Sequence, residues 1–381
     1  MQPATTMNPT HRLPPLRWTR LPARRLAEDA ALQAHWDRLN AARLDLPFLS
    51  ARAVLAALDC LGSGREQLAI GRLGESVEAM FLLQPEGALR WRTFQPSQMP
   101  LGAWVAAPAW PLQALGSALM RDGLPACLVL SLTQIDPLAS PRAPDDARQR
   151  HDDYIATAWI DVEGSFADYW EARGKNLRQN MRKQRNKLAA DGVRTQMRVL
   201  REVADMAPAL ARYGVLECSG WKAEQGTAIH PDNEQGRFYR RLLEEAAAAG
   251  EARVYEYLFD EQTVAMNLCL LRAGQLIVLK TGYDAGIKSL SPAFMLREEE
   301  LQSFFAEGQI RRIEYYGKVM DWHTKLTGNS RLLHHLTLYR WGWLKRLKRL
   351  KRPAALKAGA PAPAAAAAAG AQESPAGAAA A

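Results

Sequence analysis

The sequence predicts an α+β protein made of two similar units, each a largely antiparallel sheet flanked by helices. Three observations carry that expectation. Two short polar connections, Asp260-Glu-Gln262 and Arg272-Ala-Gly274, separate apolar, strand-like runs at 253–259, 263–271 and 276–283, the pattern of successive antiparallel hairpins. The stretch Gln275–Gly308 then reads as a strand, a loop of small residues, and a helix that opens at Ser291 and Pro292 and stops at Gly308. Finally, both halves follow a rough order of helices, antiparallel strands, helix and strand, although no residue-level repeat joins them. A chain of 381 residues is long enough for two such cores.

Taken in order, residues 1–15 are polar, end in Pro14 and Pro15, and are expected to be disordered. A first unit, 16–163, has helices at 27–40 and 50–61, the second capped by Ser50 and stopped by Gly62. Strands follow at 67–72, 77–83 and 88–94, then a short helix at 111–120 and strands at 127–132 and 154–162. The segment 137–153, with three prolines and several charges, reads as an exposed excursion. A second unit, 164–340, opens with one long helix, 165–190. Its apolar residues Phe166, Trp170, Leu177, Met181 and Leu188 form a single stripe opposite a basic face of Arg173, Lys175, Arg178, Arg182, Lys183, Arg185 and Lys187. That face suits a polyanion or plain solvent. A strand at 193–200, helices at 204–216 and 237–249, the three hairpin strands, the helix 292–307 and strands at 312–316 and 332–339 complete the unit. Residues 341–352 form a basic amphipathic helix with Leu344, Leu347 and Leu350 three apart, suited to an anionic membrane surface or to docking on the protein body. The Ala/Pro-rich tail 353–381 is expected to be disordered.

Composition narrows the function classes. The formal charge is +9, yet residues 331–381 hold nine Lys/Arg against one acid, Glu373, so the rest of the chain is nearly neutral. The high pI belongs to the tail, which argues against general nucleic-acid binding by the body. Cys60, Cys127, Cys218 and Cys269 form no CxxC pair and no zinc-ligand spacing, so no metal is expected. No apolar run approaches the roughly 18–20 residues of a membrane span, and Met1–Arg12 contains no apolar signal core, so the expected location is cytoplasmic, at the inner face of the membrane if the basic helix engages it.

A strand that delivers a loop into a helix N-terminus presents several backbone N–H groups at one point, a natural seat for a phosphate or diphosphate, or an ordinary α/β connection. Further residues then carry a family resemblance: Leu177-Arg-Gln-Asn-Met-Arg-Lys-Gln-Arg185, Ser219-Gly-Trp-Lys222 with Gly226-Thr-Ala-Ile229, Gly282-Tyr-Asp284 before Ser291-Pro292, and Glu314-Tyr-Tyr-Gly317 through Asp321-Trp-His-Thr-Lys325. In the first half, Phe94-Gln-Pro-Ser-Gln98 with Leu101-Gly-Ala-Trp104, and Leu132-Thr-Gln-Ile-Asp-Pro137, belong with them. Over residues 15–343 the chain resembles the BioF2-like acetyltransferases of the Gcn5-related N-acetyltransferase (GNAT) superfamily, described for cellulose and exopolysaccharide biosynthesis and related to the Fem peptidyltransferases. The sequence departs from that family at Ala293, where Gly is usual, and lacks the standard Q/RxxGxG/A loop.

The resemblance implies tandem GNAT-like units with mixed sheets, and acetyl-CoA or another acyl-CoA as donor, held between the strands at 276–283 and 312–316. Its pantetheine would meet Leu279, Lys280 and Thr281, and its diphosphate Lys288, Ser289, Ser291 and Ala293. Acyl transfer to an amine needs a neutral amine, a stabilised oxyanion and a protonated leaving thiolate. Glu314 and Asp284 are candidate bases, though each also fits a structural position. Tyr315 or Tyr316 could protonate the thiolate, and as strand neighbours only one can face the cleft. Trp221 and Lys222 fit a sugar or anionic acceptor, or a Trp that pins its loop. Lys325 could contact the acceptor or the oxyanion, and His323 could touch substrate or serve as base, while Asp321 also reads as a helix start. The expected activity is acyl transfer, N-acetylation first, to an amine or hydroxyl of a sugar or polysaccharide precursor. The alternatives are a Fem-like transfer from aminoacyl-tRNA, the one nucleic-acid partner, and a silent module in a polysaccharide assembly.

Overall fold

The computed structural model describes residues 14–218 and 229–350. The expected disordered ends, apart from 14 and 15, and the residues Trp221 and Lys222 lie outside that range. The first half comprises β1 (Arg17–Pro22), α1 (Arg25–Glu28), α2 (Ala30–Ala41), α3 (Ala51–Leu61), β2 (Gln67–Leu73), β3 (Ser76–Pro85), β4 (Arg90–Thr93), β5 (Trp104–Ala106), α4 (Leu112–Ala118), β6 (Val129–Ile135) and β7 (Gln149–Asp161). The second comprises α5 (Phe166–Glu171), α6 (Lys175–Ala190), β8 (Thr195–Leu200), α7 (Val203–Cys218), α8 (Glu234–Ala248), β9 (Ala252–Phe259), β10 (Gln262–Arg272), β11 (Gln275–Tyr283), α9 (Pro292–Glu307), β12 (Arg312–Glu314), α10 (Asp321–Leu326), β13 (Ser330–Tyr339) and α11 (Gly342–Leu350).

All the strands join one mixed sheet in the order β1-β2-β3-β4-β6-β13-β7-β12-β11-β10-β9-β8, with β5 beside β3. β4 and β6 pair in parallel, as do β11 and β12, while the other neighbours are antiparallel. The order is a pseudo-twofold: β1-β2-β3-β4-β6 mirrors β8-β9-β10-β11-β12. The last strand of each half crosses to the other. β7 lies against β12, and β13 lies between β6 and β7. The two halves are thus tied by main-chain hydrogen bonds through β13 and β7 from Ser330–Ala158 to Leu338–Gln149.

Helices cover both faces. On one, α2, α3, α7 and α8 bury a core that spans both halves, including Trp36, Phe48, Tyr213, Phe238 and Tyr239. The fully buried Trp36 fits there because its indole N–H donates to the Leu49 carbonyl at 2.7 Å. On the other face, α4 covers the first half and α5, α6 and α9 cover the second.

The structure corrects several expectations. The helix 165–190 is two, because Gly174 takes an extended ψ of 134° and Arg173 turns back to the carbonyls of Tyr169 and Leu326. Of the presumed basic face, Arg178 pairs with Glu171 and Arg185 grips Glu298 and Glu299, which shrinks the free cationic surface. β1 and β5 were not foreseen. β12 ends at Glu314 rather than residue 316, since Tyr316 adopts a left-handed φ of 50°.

Candidate active site

β11 and β12 share three rungs, Gln275–Arg312, Leu276–Ile313 and Ile277–Glu314. β11 then continues along β10 to Tyr283, while the chain leaves β12 after Glu314. The two strands part and open a notch walled by β11 residues 278–283. In the first half, the corresponding gap beyond β4 and β6 is filled by the chain's own segment: Phe94 bonds Leu82, Ala103 bonds Phe94, and Gly102 N–H donates to the Thr133 carbonyl. A Cβ at Gly102 would lie 2.5 Å from that oxygen, so only glycine allows this closure.

A bulge shapes the β11 wall. Leu268 pairs with Lys280 but Cys269 with Val278, so Leu279 is an extra residue. The alternation of side chains breaks there. Leu279 joins the α7–α8 core, and Lys280 Nζ also lies on that side, 5.4 Å from the Tyr239 ring centroid. Thr281 faces α9 instead, and its hydroxyl accepts from Arg297 at 3.0 Å. Gly282 returns to the α7 side, where a Cβ would sit 3.1 Å from the Tyr213 ring.

Between β11 and α9 the chain makes a short 3-10 helix, Ala285–Leu290. Asp284 caps it, accepting from Gly286 N–H at 2.8 Å, which is a turn residue's task. Lys288 and Ser289 are exposed on it. Ser291 does not cap α9 through its side chain. It is left-handed, with φ 56°, and its hydroxyl accepts from Asn180 of α6 at 3.3 Å. The helix start rests on the fixed φ of Pro292 and on Phe294 and Met295 N–H donating to the Ser291 carbonyl. The α9 N-terminus, with Ala293 in its first turn, opens beside the notch.

Sequence reasoning missed Arg297. It is 6% exposed, donates to the Ala293 carbonyl and Thr281 Oγ1 at 3.0 Å each, and lies 3.9 Å from the Trp322 ring centroid. Among the described residues no carboxylate hydrogen-bonds it, although the buried Glu300 of the same helix attracts it, and burial pulls its pKa down. An arginine among the buried α9 residues Met295, Leu296, Leu301 and Phe304 was the available signal. It makes the notch electropositive alongside the helix N-terminus.

α10 supplies the far wall. Tyr315 meets Trp322 and His323 edge-on, with centroids 5.3 and 4.8 Å away, and burial drives its pKa up, so it keeps its proton. His323 stacks on Trp322, and its Nδ1 accepts from Met320 N–H at 2.9 Å. Burial and then Arg297 push the His323 pKa down to about 3. The ring is neutral with its proton on Nε2, so it can donate to an oxyanion but cannot be the base, contrary to the expectation for it. Lys325 is exposed, its Nζ 5.4 Å from the Phe294 ring centroid.

Glu314 and Tyr316 lie on the opposite face. Glu314 is 2% exposed and accepts from Arg312 Nε at 2.7 Å and Arg331 Nη1 at 2.8 Å. Arg331 also grips Asp136, at 3.0 Å from Nε and 2.7 Å from Nη2. Burial pushes the Glu314 pKa up against the pull of Arg331. Tyr316 bonds Asp136 and packs edge-on against Phe48, which leaves Tyr315 as the tyrosine beside α10. On this face, above Lys280, Tyr213 and Glu217 of α7 join Tyr239 of α8. Glu217 accepts from the Tyr213 hydroxyl at 3.2 Å and from Ile229 N–H at 2.8 Å. The notch thus has an electropositive side toward α9 and α10 and an aromatic, carboxylate-bearing side toward α7 and α8. Among the described residues no cluster of three or more His, Cys, Asp or Glu could hold a metal ion.

Residues 175–324 match a family model described as an acetyltransferase (GNAT) domain. No curated protein sequence matches the chain. Among solved structures, a conserved protein of unknown function from Bacteroides thetaiotaomicron shares 13% identity at a TM-score of 0.52, over 82% of this chain and 97% of that one. A tandem GNAT protein from the clavulanic acid biosynthesis pathway shares 15% identity at a TM-score of 0.46, over 84% and 98%. The C-terminal domain of a putative lysylphosphatidylglycerol synthetase from Agrobacterium fabrum shares 13% identity at 0.46, over 77% and 90%. With its parted parallel strands leading into the start of α9, this chain carries a GNAT acetyltransferase domain of the BioF2-like kind over residues 175–324.

Proposed function

We propose that the protein is an acyl-CoA-dependent acyltransferase whose donor site is the notch of the second unit, 164–340. The observation that carries this reading is the bulged wall of β11, unpaired on its β12 side, ending at the α9 N-terminus beside a buried Arg297. Main-chain groups at Leu279, Lys280 and Thr281 would hold the pantetheine amides. The first turn of α9, with Ser291, Ala293 and the nearby Lys288 and Ser289, would hold the diphosphate. The donor supplies an activated thioester carbonyl. His323 Nε2 and the Lys325 ammonium stabilise developing oxyanion charge, and the Tyr315 hydroxyl donates a hydrogen bond to the sulfur, which leaves as the CoA thiolate and takes its proton from solvent.

The acceptor enters from the α7–α8 side, against Tyr239 and Lys280, and we assign it as an amine or hydroxyl of a sugar or polysaccharide precursor. Trp221 and Lys222 fall between α7 and α8 in the sequence. Glu314, whose pKa burial raises above the ordinary carboxylate value, takes the acceptor's proton, with Arg331 and Arg312 fixing its carboxylate.

Acetyl-CoA should raise the melting temperature of the purified protein and release free thiol when amino sugars are supplied. Glu314→Gln should lower kcat about a hundredfold or more with little change in KM for the donor. Stabilisation by aminoacyl-tRNA and not by CoA would replace this reading with a Fem-like one. Saturable CoA binding without turnover of any acceptor would leave a silent binding module.

A further inference from the structure

At the C-terminal end of β13 the molecule exposes a surface that the notch does not use. The Trp341 and Trp343 rings stack there, centroids 5.8 Å apart and planes 9° from parallel, yet they are 45% and 53% exposed. Leu89, 45% exposed, lies at the same end of the sheet. Its carbonyl accepts from Leu128 N–H, whose own carbonyl accepts from Arg340 N–H. α11 leaves this corner at a fixed angle. Lys345 Nζ donates to the carbonyls of Asp146 and Gln149 at 2.6 and 2.7 Å, and Gly342 packs so closely on Ala147 that a Cβ would meet it at 3.2 Å. From Trp341 to Arg352 the sequence has six Lys/Arg and no acid, and none follows until Glu373.

We propose that this corner docks the protein on an anionic phospholipid bilayer, with Trp341, Trp343 and Leu89 entering the interface and the exposed Arg346 meeting the headgroups, joined by the cations that follow it in sequence. Stacked indoles left in water are unfavourable, whereas the bilayer interface accepts both their rings and their N–H groups. A nucleic acid would match the cations but leave the Leu89–tryptophan corner in water. The placement also relates to the notch. β12 and β13 both run antiparallel to β7, so the strand end where the notch opens points the same way as the end that carries α11.

The test is flotation of the full chain with vesicles of phosphatidylcholine alone or mixed with phosphatidylglycerol. We expect binding to the mixed vesicles only, weakened as salt rises. Trp341→Ala with Trp343→Ala should cut the partition coefficient about tenfold or more, with a matching loss of the tryptophan blue shift. Arg346→Glu with Lys351→Glu should do at least as much, since each cation near the surface contributes about fivefold. Both variants should keep the wild-type melting temperature and its response to acetyl-CoA. Failure to float with anionic vesicles, equal binding to both compositions, or full binding by both variants would overturn the proposal. Duplex DNA binding at a salt concentration where anionic vesicles are not bound would reassign the surface to nucleic acid.

Discussion

Replacing Arg297 with methionine separates the fold's needs from the donor's. The guanidinium is 6% exposed, feels Glu300 only through space among the described residues, and is held by two neutral oxygens and the face of Trp322. Burying such an ion costs several kcal/mol even after relaxation. Its two charge-assisted hydrogen bonds return about 1.5–3 kcal/mol each, and a desolvated cation–π contact about 2 kcal/mol. These terms nearly cancel. The partners left behind cost little, because the Ala293 carbonyl lies in the helical ladder of α9 and Thr281 is only half-buried. Arg297→Met should therefore unfold in urea within about 1 kcal/mol of wild type. If the cation also answers a phosphate or carbonyl oxygen of the donor, losing it removes one charged hydrogen bond worth about 1.5–3 kcal/mol, or roughly 10–150-fold in Kd. Titration calorimetry with acetyl-CoA reads the second quantity and urea denaturation the first. Unchanged affinity in a stably folded variant would refute the assignment of Arg297 to the donor. A loss of more than about 3 kcal/mol of stability would show that its role is structural.

Two further perturbations test the buried charges. Glu300 is on the buried side of α9, accepts from Asn267 at 2.7 and 2.8 Å, and burial raises its pKa to about 7. Because the folded value lies above the unfolded one, its contribution is full below about pH 4.5 and is lost as pH rises through about 7, by ~3 kcal/mol. Glu300→Gln should flatten the fall in melting temperature over that window, and an unaltered pH profile would show that the carboxyl is not the titrating group. Arg331→Met leaves Asp136 without its bidentate partner and Glu314 with Arg312 alone, so it should cost about 3–5 kcal/mol at pH 7 in urea. With Arg331 gone the Glu314 pKa rises further, so the deficit should shrink as pH is lowered toward 5, and a deficit independent of pH would count against this network.

Most elements of the second half were legible because their signals are local. The turns at 260–262 and 272–274, Pro292 and Gly308 each act on their own few residues, and β9, β10, β11 and α9 fall close to where periodicity and punctuation put them. The single helix expected over 165–190 failed because its break depends on the distant Leu326 carbonyl, which holds Arg173. At Ser291, where the sequence predicts the helix to open, the side chain makes no cap because the residue is left-handed and its hydroxyl accepts from Asn180, 111 residues away. The site was legible as a stretch but not as a constellation. Thr281 and the Ala293 carbonyl meet Arg297, and His323 and Lys325 reach the same helix through Trp322 and Phe294, whereas Asp284 is spent on a turn and Glu314 lies on the other face among arginines from β12 and β13.

By itself the sequence determined the α+β character of the chain, the hairpin order of β9 to β11 and the strand–loop–helix that leads into α9, because backbone propensity, turn chemistry and helix-start signals operate within a few residues. Only the tertiary structure decided that β7 and β13 change places between the halves, that the first half closes its own gap with residues 94–103, and that Arg297 is buried against Trp322 with neutral oxygens as its hydrogen-bond partners. Those outcomes depend on pairings and burial between residues far apart in the chain, where the competition among partners is settled by packing and desolvation and leaves no trace in local pattern.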